Sequence, residues 1–361
     1  MPNVVVIGAG VVGLTSAYEL LQAGHEVTLL AKQIPTDFQF SSNYTSPFAG
    51  GQWASFAGPG EYDAQQLDMV GFYKFMQLAK NPETGVWNQD YVYYVTEKQY
   101  KHSGCKVEWP WFLNMPGLKY EKFDKSQVPQ GLGLEYGFSC DGVVISTSLY
   151  MVWLMNENLK TGRFKIQRKS ISDLREAIDL HHNGKADIII NATGLLARDL
   201  VTPEEAAKIY SVRGSTLLIE NNAGKQYTVK DHIPEFPGEY LYVMSRQEGG
   251  TVIGGCFEYD AEDKTTLDPV QKQRYVDRVK KYVPHLLNSK GELDIIREQV
   301  GFRPGRVGGP RIELDQKWTH DNGVALIHNY GHEGAGFLSS WGSSARVLKA
   351  ANDFLGFKSK L

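Results

Sequence analysis

Three arginines crowd into one short stretch near the end of the chain. Residues 301–313, GFRPGRVGGPRIE, hold Arg303, Arg306 and Arg311 together with four glycines and two prolines. Fixed positive charge on so stiff a segment suits the holding of an anion, because a planar guanidinium pairs with a carboxylate at two points. Structural ion pairs would use the same residue type, and the segment alone leaves both roles open. A second chemically suggestive stretch opens the chain. Gly8, Gly10 and Gly13 form G-x-G-x-x-G directly after the apolar run 4–7, and Val11 and Val12 begin a helical pattern. The first glycine of such a motif permits the turn, the second lets a pyrophosphate approach the backbone, and the third lets helix and strand pack closely. The helix start then aims free N–H groups at phosphate.

Such units often end their second strand in an acid that holds the adenosine ribose. Here that end reads Leu30-Ala31-Lys32, with Glu26 too early and Asp37 too late. Lys32 suits a 2′-phosphate, as in NADP, or a solvated place beside ribose and pyrophosphate. The motif therefore predicts a dinucleotide site and leaves FAD and a nicotinamide cofactor both open.

Elements on two sides of a cleft must position these groups. Residues 44–63, YTSPFAGGQWASFAGPGEYD, are irregular, and a long irregular stretch inside a domain is usually functional. Apolar spacing predicts helices at 64–80, 147–160 and 268–286. Short strands are expected within 85–140. The run 188–190 reads as a buried strand that leaves through Asn191-Ala192-Thr193-Gly194, where small residues allow close approach. Residues 212–258 read as antiparallel sheet, with EYLYVMS and TVIGGCFE flanking the turn RQEGG. LDIIREQVGFRP leads as a strand into the arginine segment. NGVALIHNYG is a further buried strand, and GAGFLSSWGSSARVLKAANDFLG a helix that starts at glycine. With βα units at both termini and in the middle, the pattern implies two interleaved domains: one doubly wound, the other a mixed sheet closing over it.

Composition removes other classes. A net charge of −3 argues against a nucleic-acid partner. No apolar run is long enough to predict a membrane span. Cys105, Cys140 and Cys256 are few and far apart, so neither a disulfide framework nor a metal site is expected, and a reducing compartment is. The start, MPNVVVIGAG, enters a strand at once and leaves no room for a secretory signal. The last residues, Ser359-Lys360-Leu361, match the address read by the peroxisomal import receptor.

Taken together, VVVIGAGVVGL, YTSPFAGGQW, INATG, YLYVMSR, TVIGGCFE, GFRPGRVGGPRIE, HNYGHEGAGFLSSWG and the terminal S-K-L resemble the D-amino-acid oxidase family, its fungal members more than its animal ones. The resemblance covers nearly the whole chain. It implies a doubly wound, Rossmann-like FAD-binding domain (residues 1–55, 141–200 and 300–361) interleaved with a mixed, largely antiparallel α+β substrate domain (56–140 and 201–299). It implies oxidation of a D-amino acid by hydride transfer to flavin, with dioxygen as final acceptor and α-keto acid, ammonia and hydrogen peroxide as products, in a peroxisomal homodimer. By the same resemblance Arg303 and Tyr242 grip the substrate carboxylate, and the carbonyl of Gly334 faces the amine. Gly336, Phe337 and Leu338 lie under the flavin, with the helix start aimed at its developing charge. Thr45, Ser46, Gly51 and Gln52 contact pyrophosphate and flavin through hydroxyls and amides, and Asn191 and Gly194 support the cofactor. Tyr227 and Tyr240 are candidates for a second pocket tyrosine. Phe257 stands where aspartate-preferring animal relatives carry arginine, which points to neutral, apolar side chains, with D-aspartate as the alternative should Arg246 or Lys230 enter the pocket. Ser215 replaces a glutamine frequent in the family.

Overall fold

The apolar run at the N-terminus becomes the central strand of a parallel sheet. The computed structural model describes residues 1–358, and the Ser359-Lys360-Leu361 terminus lies outside the described residues. Strand Asn3–Ile7 is flanked in register by Glu26–Ala31 on one side and Ile188–Asn191 on the other. Ala325–Tyr330 and Phe164–Arg168 continue the sheet in parallel, and Arg311–Leu314 closes one edge antiparallel. Val4, Val6, Leu29 and Ile190 pack against the helices Val11–Gln22, Thr147–Lys160 and Ser340–Lys358. Val5, Ile7, Leu30 and Ile189 pack on the opposite face, against Leu174, Ala177 and Leu326. Burial on both faces is why these strands read as unbroken apolar runs rather than alternating ones. Each fully buried leucine or valine contributes about 1.5–3 kcal/mol relative to exposure.

A nine-stranded, mainly antiparallel sheet forms the second layer. Here the strands alternate. In Glu239–Ser245, Leu241 and Val243 pack toward the helix Pro269–Tyr282, whereas Tyr242 and Met244 belong to a separate cluster on the other face. The longest pairing joins Ile209–Ile219 to Ile295–Arg306. This last strand carries Arg303, so the arginine segment grows out of the antiparallel sheet, and the expected division at residue 300 falls inside a continuous strand. The helix predicted at 64–80 runs Tyr62–Leu78, and that at 147–160 runs Thr147–Lys160. The helix expected to begin at glycine starts only at Ser340. A tight turn, Glu333–Ala335, precedes it, and Glu333 at φ +49° breaks the helical path. Among the described residues no helix is long and apolar enough to cross a membrane.

Candidate active site

A cavity of about 880 Å³ separates the two layers. It starts at the carboxyl ends of Asn3–Ile7 and Ile188–Asn191, where open parallel sheets bind ligands. It ends against the polar face of the antiparallel sheet, at Thr228, Tyr242 and Arg303.

At the first end the glycine turn is sterically enforced. Gly8 has φ +109°, and a Cβ there would stand 2.4 Å from the Ala192 carbonyl oxygen. Gly10, Val11 and Val12 line the cavity. Gly13, expected among the cofactor contacts, does not. A Cβ on it would meet the Gly8 carbonyl oxygen at 2.0 Å, so its bareness serves helix–strand packing. The loop expected to touch pyrophosphate and flavin brings Thr45, Ser46, Gly51 and Gln52 to the wall. The hydroxyls, however, are engaged. Thr45 Oγ1 donates to the Phe302 carbonyl, and Ser46 Oγ accepts from the Val11 amide at 3.0 Å, tying the loop to the Arg303 strand and to the first helix. Gln52 Nε2 is buried without a partner among the described residues.

Gly194, at φ +60°, also lines the cavity, and Asn191 shapes its turn through bonds from the Thr193 amide and hydroxyl. Lys32 is exposed at the far end. The two acids nearest that strand end in sequence, Asp37 and Glu26, are engaged elsewhere. Asp37 pairs with Arg168, whose hydrogen bonds and, to a lesser degree, charge hold its carboxyl below the usual range. Glu26 faces His182 at 3.6 Å.

At the second end the three arginines separate. Arg306 binds Glu205 (Nε to Oε1 2.5 Å) and Arg311 binds Glu313 (2.7 Å) and Asp315 (3.2 Å). Arg303 has no carboxylate partner among the described residues. Its Nη1 donates to the carbonyls of Cys256 (3.0 Å) and Arg213 (3.3 Å), and its guanidinium lies 4.1 Å from the centre of the Phe257 ring. Tyr242 stands beside it. Burial pushes the Tyr242 hydroxyl up to about 12, partly offset by the Arg303 charge. The Tyr242 ring fits only because Gly254 and Gly255 are bare: a Cβ on Gly255 would meet its hydroxyl at 2.0 Å. That packing is invisible in sequence, where GGCF marks only a strand.

Strand alternation separates the two further tyrosine candidates. Tyr240 lines the cavity, stacked on Phe257 at 5.8 Å, whereas Tyr227 faces the other core beside His285. Gly334, Gly336, Phe337 and Leu338 all reach the wall. His332 is buried, and desolvation pushes it down to about 4, so it stays neutral. Glu333 accepts from the Tyr210 hydroxyl at 2.8 Å rather than pairing with His332. Ser215 turns away from the cavity, toward Tyr275 and Gln271. Arg246 does not line the cavity. It is buried behind the 44–63 loop, donating to the carbonyls of Ala49 (3.1 Å) and Gly50 (3.3 Å).

The residues present fit a flavin dinucleotide. The bare turn at Gly8 and Gly10, the helix start behind it and the unpartnered Gln52 amide form one continuous wall leading to Arg303.

Comparison with known proteins agrees with this geometry. Residues 3–350 match the family model described as FAD dependent oxidoreductase. A D-amino-acid oxidase of Fusarium vanettenii is 32% identical over 360 residues, covering 96% of each chain. A D-aspartate oxidase of Talaromyces thermophilus is 25% identical over 370 residues, covering 96% of this chain and 94% of its own. The fold also matches the crystal structure of glycine oxidase from Bacillus cereus ATCC 14579, with a TM-score of 0.73 at 16% identity over 96% of this chain and 94% of that one. The chain therefore belongs to the D-amino-acid oxidase family of FAD-dependent oxidoreductases.

Proposed function

We propose that the protein oxidatively deaminates D-amino acids to α-keto acids and ammonia, with release of hydrogen peroxide. The observation that carries this reading is Arg303: of the three arginines in its segment it alone has no carboxylate among the described residues, and it stands in the cavity beside Tyr242. A substrate carboxylate supplies the missing anion, taken at two points by the guanidinium and at a third by the tyrosine hydroxyl. The Gly334 backbone then meets the amine, whose proton leaves to solvent: burial makes the neutral His332 too weak a base to keep it, and Glu333 is engaged by the Tyr210 hydroxyl. Held in this way, the α-hydrogen is fixed in orientation, which lowers the entropic part of the barrier. Bound FAD supplies the two-electron acceptor, which dioxygen reoxidises. Val11, Gly51, Gln52 and the turn through Gly336, Phe337 and Leu338 would hold it, and Lys32 would neighbour its adenosine end.

Tyr240, Phe257 and Phe56 give the side-chain region aromatic walls, which supports neutral, apolar side chains, and Lys230 adds one cation to the same cavity. The terminal Ser359-Lys360-Leu361 supports delivery to peroxisomes, where peroxide is contained, and the family resemblance supports a homodimer.

A peroxide assay over a panel of D- and L-amino acids tests the reading. Peroxide is expected from D-isomers only. Arg303→Ala is expected to cost about 3–5 kcal/mol in kcat/KM, as for a broken buried charge pair. Equal oxidation of L-isomers, or full activity without Arg303, would overturn it.

A further inference from the structure

Lys230 closes the strand Gln226–Lys230, and its half-buried side chain lines the same cavity as Arg303. Strand alternation places it there: Thr228 and Lys230 reach the cavity, while Val229 between them packs into the opposite core. The Lys230 ammonium stands 3.8 Å from the centre of the Tyr240 ring. Tyr240 stacks on Phe257 at 5.8 Å and 13°. Arg303 rests on Phe257. Two cations thus lie on two adjoining rings of one pocket.

Neither cation has a carboxylate partner among the described residues. The nearest acid in sequence to Lys230, Asp231, instead accepts from the Thr96 hydroxyl at 2.8 Å. Burial alone pushes the Lys230 amine down to about 8, as befits a cation whose counter-charge the protein does not supply. The ring face attracts the ammonium but carries no net charge, so it offsets the desolvation only in part and leaves room for an anion.

We propose that Lys230 receives the side-chain carboxylate of an acidic D-amino acid whose α-carboxylate lies on Arg303, so that D-aspartate and D-glutamate are substrates. This rests on the oxidase reading above. Phe257 brings no charge to the side-chain region, but a cation is present one ring further on, at Tyr240. A dicarboxylate satisfies both charges at once, whereas a neutral substrate leaves Lys230 unpaired.

The test uses the holoenzyme, with D-alanine, D-aspartate and D-glutamate as substrates and with Lys230→Met and Lys230→Arg as variants. Lys230→Met should lower kcat/KM for whichever acidic substrate the wild type prefers, relative to D-alanine, by roughly 10- to 100-fold, mostly through KM. Lys230→Arg should restore much of that ratio. An unchanged ratio in Lys230→Met, or a wild type that oxidises D-alanine but neither acidic substrate, overturns the inference. Binding of succinate against propionate, read from the flavin absorbance without turnover, separates the two claims. If no D-amino acid is oxidised yet succinate binds more tightly and Lys230→Met removes the preference, the oxidase reading fails and the Lys230 assignment stands. If succinate shows no advantage, the Lys230 assignment fails.

Discussion

The Arg303 guanidinium lies against the bare backbone of Gly214. A Cβ at that glycine would stand 2.5 Å from Nη2, 2.6 Å from Cζ and 2.7 Å from Nη1. The two strands pair antiparallel, with Val212 opposite Arg303 and Gly214 opposite Gly301, so the arginine side chain crosses the neighbouring strand where that strand has no side chain.

Gly214→Ala should therefore push the guanidinium off its seat while leaving the strand intact. A misplacement near 1 Å costs on the order of 100-fold in rate. Steady-state kinetics on the preferred D-amino acid should show that fall in kcat/KM, with a thermal midpoint within a few degrees of wild type.

Arg246 ties the flavin-side loop to the helix Thr147–Lys160. Besides the Ala49 and Gly50 carbonyls, it reaches Ser146 Oγ and Thr147 Oγ1, each at 3.3 Å. Burial pushes the guanidinium down to about 10, so it remains charged at neutral pH. Arg246→Met leaves those carbonyls unpaired, at about 1–3 kcal/mol. Fluorescence titration of the apoprotein should show FAD binding weakened by about 10-fold, and Arg246→Lys should lie between.

Asp68 is buried, with its carboxylate accepting from Ser55 Oγ at 2.7 Å. Burial pushes its pKa up to about 7, against the smaller effect of the Ser55 bond. A carboxyl raised in the folded state favours folding fully below its unfolded value near 4, and that contribution is lost as pH rises through 7. Asp68→Asn should thus be more stable than wild type at pH 8, by as much as about 4 kcal/mol, and equal to it near pH 4. Urea midpoints across that range measure the difference.

Glu205 behaves oppositely. Burial would raise it, but Arg306, Lys208 and the Tyr330 hydroxyl outweigh that and pull it down to about 2. A depressed carboxyl stabilises the fold above its unfolded value near 4.5, and the contribution fades as pH falls toward 2. Glu205→Gln should lose about 3 kcal/mol at pH 7 and progressively less below pH 4. Denaturant unfolding at both pH values checks the sign.

Much of the layout is legible in the chain because the parallel sheet is buried on both faces. Runs such as residues 4–7 and 188–190 have no polar alternation to confuse them, and Gly8 and Gly10 follow where the strand must turn. The start of the last helix was less legible. Gly334 and Gly336 carry no side chain to set a period, so the tight turn before Ser340 left no pattern.

By itself the sequence determined that Asn3–Ile7 runs into a dinucleotide turn and that 301–313 concentrates positive charge, since both depend on local residue type and spacing. Only the tertiary structure decided which arginine stays uncompensated. Arg306 finds the distant Glu205, and Arg311 its near neighbours Glu313 and Asp315, while Arg303 meets Gly214, Phe257 and open cavity. The placement of Lys230 against Tyr240 was decided in the same way. For Arg303 and Arg306 the outcome depends on which distant chain segments meet, and a linear pattern does not encode those meetings.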